Sequence, residues 1–508
     1  VSGTAGGAAT GAATLPAAPP SLPGFDGGGR FALVIIAALL VWRLVLAASV
    51  PLVPDEAYYA LWAQGLSAGY LDHPPMIAFF IRAGQMLAGD TALGVRLACV
   101  LSVVPASVFV WRAAALLLDD PRAGPLAAVL FNATIFGFLG MTLATPDAPL
   151  ALFSAAMVYG AARLLRAPRP ALWLALGVAT GLAMLSKYSG AMLAGGFALA
   201  VLAVPALRRQ LLRAWPWLAL AVAVLVCLPN LLWNVAHGFE TFTKQGGRIT
   251  AHVALRPEFL LEFVGSQIGL ATPLVFFFAV AGLLPRTADA FRDRGGRRLV
   301  LVMLLVPLAY FAVHALRSRV EGNWVGFLYP LIAVAAAAGM LAIEPVPRRW
   351  LGGLRRATVP LALGFVLALG VHALVPVPGL GARDPIARMT RGWPEFAAEI
   401  EALRVRAGAD LVLADNYQLT AMLTRELPGV MVEQLDERAR YRFQNLPPLA
   451  ARTGTALVVS GYRPEPYLEA VLGPLTPLGV VERRFRDVAL KPLVRIYTVA
   501  LPPPAPSN

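Results

Sequence analysis

The sequence predicts a polytopic α-helical membrane protein, with about eleven transmembrane helices and a C-terminal α/β domain. Three observations carry this. Of the 508 residues, 58% are hydrophobic and only 14% charged, too few charges to cover a soluble surface of that size. Apolar runs of about twenty residues recur along the chain. The charges fall between those runs until about residue 377, where the composition becomes mixed.

Residues 1–29 are Gly, Ala, Pro and Ser with almost no charge, and read as a disordered tail. The first apolar run, 31–50, is too long for a signal-peptide core and lacks a small-residue cleavage site, so it is expected to remain as a helix. Further spans are expected at 92–111, 124–143, 146–165, 171–186, 188–207, 214–236, 259–284, 299–316, 324–343 and 357–376. Together 30–376 are expected to form one transmembrane domain. Short β-like runs alternating with helical stretches make 377–508 a compact α/β domain.

The formal charge of +14 is carried almost wholly by arginine. Its placement argues for membrane topology and against nucleic acid. Arginines crowd alternate loops: Arg112/Arg122, Arg163/Arg166/Arg169, Arg208/Arg209/Arg213, Arg286 to Arg298, and Arg348 to Arg356. All five loops fall on the cytoplasmic side if the N-terminus is cytoplasmic. The loops between them, and the C-terminal domain, are then outside. Cys99 and Cys227 lie within apolar runs and read as small buried hydrophobes. No Walker loop, dinucleotide fingerprint, HExxH or CxxC pattern occurs, so nothing points to ATP, haem or nicotinamide.

The polar motifs collect in the outer loops. Pro54-Asp55-Glu56-Ala57-Tyr58-Tyr59 places two carboxylates where the first helix leaves the bilayer, a costly position that points to function. Leu71-Asp72-His73-Pro74-Pro75 precedes an apolar helix from about Met76 to Leu87. Asp55, Glu56, Asp72 and His73 can supply a general base, hold a divalent cation, or simply cap helices. Asp147, in Thr145-Pro146-Asp147-Ala148-Pro149, complements a helix dipole or steers the neighbouring loop. Lys187, in Leu185-Ser186-Lys187-Tyr188-Ser189-Gly190, requires an anionic partner, such as a phosphate, or snorkels to headgroups. Lys244 and Arg248, four apart, make a basic face for an anionic ligand or lipid. Asn323-Trp324 through Tyr329-Pro330 is an interfacial belt or the flank of a lipid chain.

The order DEAYYALW, LDHPP, TPDAP, LSKYSG, QGGR, NWVGFLYP resembles the GT-C polyprenyl-phosphate-sugar glycosyltransferases. More narrowly it is similar to the bacterial branch related to protein O-mannosyltransferases, with the lipid A aminoarabinose transferases and the rhizobial galacturonosyltransferases. The likeness covers about residues 31–345. It implies a multi-pass protein of a bacterial inner membrane with its site on the periplasmic face. There a sugar passes with inversion from a polyprenyl (undecaprenyl) phosphate carrier to lipid A, lipopolysaccharide or another glycolipid. The resemblance makes Asp55, with Glu56 and Asp147, the catalytic set. It gives Lys187, Arg248, Lys244, Tyr329 and His73 to the donor phosphate. Tyr58, Tyr59 and Trp324 are expected to support the acceptor or the loop.

Where the aminoarabinose transferases carry Glu-Lys-Pro-Pro, with the acid linked to a metal, this chain has Asp72-His73-Pro74-Pro75. Asp72 and His73 are therefore expected to hold a divalent cation if one is used; no cofactor is required. Tyr58 replaces an arginine of that branch. The histidine for lysine favours a hydroxyl acceptor. Beyond donor, acceptor and membrane lipid, no partner is expected, and the chain is expected to act as a monomer. Two alternatives remain: protein O-mannosyl transfer, and a transporter or flippase for lipid-linked sugars. A transporter usually shows internal repeats and broken helices, and no repeat is visible.

Overall fold

The computed structural model describes residues 27–250, 255–342, 349–377 and 379–501, without the side chains of 27 and 246–250. The expected tail lies almost wholly outside the described residues. The helical part runs α1 (Gly27–Ser49), α2 (Pro54–Trp62), α3 (Met76–Ala88), α4 (Ala92–Leu117), α5 (Ala123–Ala133), α6 (Ile135–Leu139), α7 (Asp147–Arg166), α8 (Pro170–Ser186) and α9 (Gly190–Ala203). It continues with α10 (Pro205–Arg208), α11 (Ala214–Ala236), α12 (Glu240–Thr250), α13 (Pro257–Ala271), α14 (Pro273–Leu283), α15 (Arg294–Ala315), α16 (Tyr329–Leu341) and α17 (Arg349–Leu374).

Among the described residues, seven helices are long and apolar enough to cross a membrane, or nine if each of two bent pairs counts as one span. The expected spans 124–143 and 259–284 are not single straight helices. In the first, Thr134 is extended and its Oγ1 accepts from Gly137 N at 2.9 Å, capping α6 and separating it from α5. In the second, α13 and α14 meet at 105°, with Thr272 at φ +67° directly before Pro273. The expected span 188–207 bends by 94° at Val204, before Pro205. Proline disfavours the α conformation in the residue ahead of it, and at the two breaks Val204 is extended and Thr272 has a positive φ.

α16 lies at the centre, with every residue from Tyr329 to Leu341 buried. A helix apolar all round belongs there. Gly282 and Gly339 let α14 and α16 approach closely. A Cβ on Gly282 would stand 1.9 Å from the Ala335 carbonyl oxygen, and one on Gly339 2.1 Å from that of Phe278.

The basic loops gather at one end of the bundle. Leu118 pairs with Phe291, Arg166 forms an ion pair with Asp293, and Arg298 reaches the Ala203 carbonyl. Arg122 lines one groove with Arg349, Arg355 and Arg356.

At the opposite end stands the C-terminal part: α18 (Pro385–Thr390), α19 (Trp393–Arg406), β1 (Leu411–Ala414), α20 (Tyr417–Glu426), β2 (Val432–Gln434), β3 (Gly454–Ser460), α21 (Glu465–Leu472), β4 (Thr476–Phe485) and β5 (Val488–Leu501). The strands form one sheet in the order β2-β1-β3-β5-β4. β1 is parallel to β2 and β3, whereas β5 is antiparallel to β3 and β4. This part is not tethered loosely. One buried cluster joins Tyr58, Trp62, Ile77 and Val95 to Phe396, Ile400, Met422 and Tyr441. It fixes α20 against α2.

Candidate active site

The junction of these two parts encloses a cavity of about 500 Å³. α2 supplies its first wall. Val53 precedes the helix, Pro54 occupies the first turn, and Asp55 and Glu56 follow on different faces. Asp55 lines the cavity. Its Oδ1 accepts from Tyr417 Oη at 3.0 Å and from Gln418 Nε2 at 2.8 Å, both on α20. Its Oδ2 makes no hydrogen bond among the described residues, and no cation pairs with it there.

Glu56, expected in the catalytic set, points away from the cavity. It is fully buried, ion-paired with the equally buried Arg96, and accepts from Ala144 N at 2.8 Å and Val53 N at 3.0 Å. Arg96 also donates to the Val50 and Pro51 carbonyls. The pair therefore bolts the α1–α2 corner to α4, and its role is structural.

Asp72 lines the cavity between cations from two distant segments. Arg440 Nη1 is 2.5 Å from Oδ2 and Lys244 Nζ is 3.1 Å from Oδ1, while Tyr58 Oη donates at 2.9 Å. Burial alone would raise this carboxyl, but Arg440 and Lys244 outweigh it and hold it below the usual carboxylate range. A divalent cation does not fit there. Both oxygens of Asp72 already face positive charge, and no group of three or more metal-ligating side chains assembles among the described residues. His73 lines the cavity beside the Tyr59 ring. Burial and the Asp55 carboxylate push the Tyr59 hydroxyl up.

Asp147 opens α7 and Lys187 closes α8, and the two meet across the cavity wall at 2.8 Å. Asn323 Nδ2 donates to the second oxygen of Asp147 at 2.7 Å. The anionic partner that Lys187 requires is thus Asp147, with the ammonium still lining the cavity. Tyr310, Phe311, His314 and Trp324 form an aromatic wall. The Nε2 of His314 is buried and has no hydrogen-bond partner.

Other expected residues stand elsewhere. Tyr329 is buried and donates to Gln267 at 3.2 Å, outside the cavity lining. Lys244 acts on Asp72 and Glu437 instead of opening to the cavity. Tyr58 supports Asp72, and its ring packs edge-on against Tyr417. The side chain of Arg248 is not among those described.

Sequence reasoning missed Arg440 and Gln418, which arrive from some 360 residues away. Asn416 caps α20 by accepting from Gln418 N at 2.9 Å. His314 was concealed within an apolar run, where a buried polar group was the available signal.

The family described as dolichyl-phosphate-mannose-protein mannosyltransferase matches residues 72–233. The lipid A galacturonosyltransferase RgtD of Rhizobium johnstonii is 28% identical, over 78% of this chain and 82% of its own length. An undecaprenyl phosphate-α-4-amino-4-deoxy-L-arabinose arabinosyl transferase of Pseudomonas paraeruginosa is 26% identical, over 76% and 83%. The crystal structure of ArnT from Cupriavidus metallidurans bound to undecaprenyl phosphate superposes with a TM-score of 0.60 at 18% identity, over 93% of this chain and 98% of that one. The chain has the GT-C fold, and the likeness read from its motifs is found again in these relatives.

Proposed function

We propose that this chain is an inverting membrane glycosyltransferase. It moves a sugar from a polyprenyl phosphate carrier, undecaprenyl phosphate in a bacterium, to a hydroxyl of lipid A, lipopolysaccharide or a related glycolipid. The relatives named above support donor and acceptor class. The observation that carries the mechanism is the contrast among the cavity carboxylates. Asp72 and Asp147 are neutralised by cations, whereas Asp55 is held only by neutral donors. A carboxylate kept in place and not committed to an ion pair is suited to accept a proton.

In the proposed step, Asp55 takes the proton of the acceptor hydroxyl. That oxygen forms a bond to the anomeric carbon from the face opposite the phosphate. The bond between the anomeric carbon and the phosphate oxygen breaks, and the carrier leaves as polyprenyl phosphate. Lys187 stabilises the charge on the departing phosphate. Tyr417 and Gln418 fix the base, and the aromatic wall receives the first isoprene units. The site faces the periplasm, a reading supported by the gathering of all five arginine-rich loops at the other end.

The broken helix at Thr272 is a feature that a lipid transporter would share. Formation of a new glycosidic bond by the purified protein from donor and acceptor in detergent separates the readings, and mass spectrometry of lipid A and envelope glycans tests the transferase reading in the cell. A deletion strain is expected to lose one sugar mass increment. Wild-type protein should restore it and Asp55→Asn should not, although the variant accumulates in the membrane. An unchanged glycan profile in the deletion strain would overturn the transferase reading, and an active Asp55→Asn would remove Asp55 as base.

A further inference from the structure

We propose that a second crevice, between the C-terminal domain and the start of α2, binds the phosphate-bearing head group of the acceptor glycolipid. This rests on the transferase reading above. The crevice holds about 220 Å³, enough for a phosphorylated sugar and too little for acyl chains. Arg388, Arg483 and Lys491 supply cations, Trp393 and Tyr462 supply aromatic faces, and no carboxylate lines it among the described residues.

Arg483 is the central observation. It is only 5% exposed, yet no carboxylate pairs with it among the described residues. Its guanidinium donates to the Arg391 and Arg388 carbonyls at 2.8 and 2.7 Å and lies 4.0 Å from the centre of the Trp393 ring. Those contacts orient it without cancelling its charge. A buried cation lacking a counter-ion is costly unless a ligand supplies one.

The nearby acids are engaged elsewhere. Asp384 caps α18 and bonds His372. Asp415 accepts from Ser460 Oγ and from the backbone N–H groups of Tyr462 and Arg463. Arg388 and Lys491 are exposed and form no ion pair among the described residues.

Position links this crevice to the chemistry. Pro54 and Gln418 line it, and they are respectively the residue before Asp55 and a hydrogen-bond donor to Asp55. Arg391, three residues from Arg388, donates to the Ala373 and Leu374 carbonyls at the end of α17. The crevice thus opens at the depth where the last helix leaves the bilayer. An amphiphile in the outer leaflet can place its head group here while its chains stay in lipid. Phosphate suits a fork of arginine and lysine donors, and a sugar ring suits the exposed Tyr462 face.

The test is a titration of the full-length protein in zwitterionic nanodiscs with bisphosphorylated lipid A, with dephosphorylated lipid A and with undecaprenyl phosphate. The double variant Arg388→Ala/Lys491→Ala changes only exposed side chains, and thermal unfolding checks that it is folded. Its affinity for bisphosphorylated lipid A should fall about tenfold, as expected for two partly screened charge contacts. Its affinities for dephosphorylated lipid A and undecaprenyl phosphate should match those of the wild type. The wild type itself should prefer the phosphorylated form. Equal affinity of both proteins for bisphosphorylated lipid A would overturn the proposal, as would a wild type indifferent to the phosphates. Binding needs no turnover, so a failure to transfer sugar counts against the enzyme reading and not against this crevice.

Discussion

Asp55 and Glu56 are adjacent in sequence and opposite in role. One helical step turns Asp55 to the cavity and Glu56 to Arg96. Replacing Glu56 by Gln keeps its volume but leaves the Arg96 guanidinium buried without a counter-charge. The loss expected is about 3–5 kcal/mol of stability, seen as a large fall in the detergent melting temperature. Asp55→Asn should leave that temperature nearly unchanged and lower the transfer rate by about 10²–10⁴-fold, the range of a lost general base. Lys187→Ala is expected to weaken undecaprenyl phosphate binding about tenfold, for one charge-assisted contact. The acidic pair was legible because carboxylates at that depth are rare. Which of the two faces the site was not, since that depends on Arg96 from a helix forty residues on.

Proline placement decides how the elements run. Hydropathy revealed the apolar stretches, but the bends at Val204 and Thr272 lie in Val-Pro and Thr-Pro steps that a window average conceals. The close contact of α14 and α16 was equally hidden, because a glycine in an apolar run has no distinguishing mark until its neighbour is known. Gly282→Ala forces a methyl into the Ala335 carbonyl and should cost about 1–3 kcal/mol by overpacking. A thermal-shift series on the purified protein checks this. The Asp72–Arg440 clamp between the first loop and the C-terminal domain carries a pH dependence. The Asp72 carboxyl is lowered in the folded state, so its contribution is complete above the ordinary aspartate value of about 4. It disappears as pH falls through the lowered value. Hydrogen exchange in residues 434–445, divided by the intrinsic unprotected rate at each pH, should therefore stay flat from neutral pH to about 4 and rise only below it. Arg440→Met should raise that exchange at neutral pH.

At the scale of the whole molecule, the site belongs to neither part alone. The helical bundle contributes Asp55, Asp147 and Lys187, and the C-terminal domain contributes Tyr417, Gln418 and Arg440. The fold class and the bundle's share were legible from apolar runs and motif order, because both are local patterns. The C-terminal share was not, since contacts across more than 360 residues leave no spacing to read. The central claim is that the carrier's phosphate sits in this shared cavity, against Lys187 and facing Asp55. An electron cryo-microscopy structure of the wild-type protein with undecaprenyl phosphate tests it most directly. Phosphate density within hydrogen-bond reach of the Lys187 ammonium, with the isoprene chain along Trp324 and Tyr310, is the predicted result. Phosphate density at the arginine-rich end of the bundle, with this cavity empty, would contradict it.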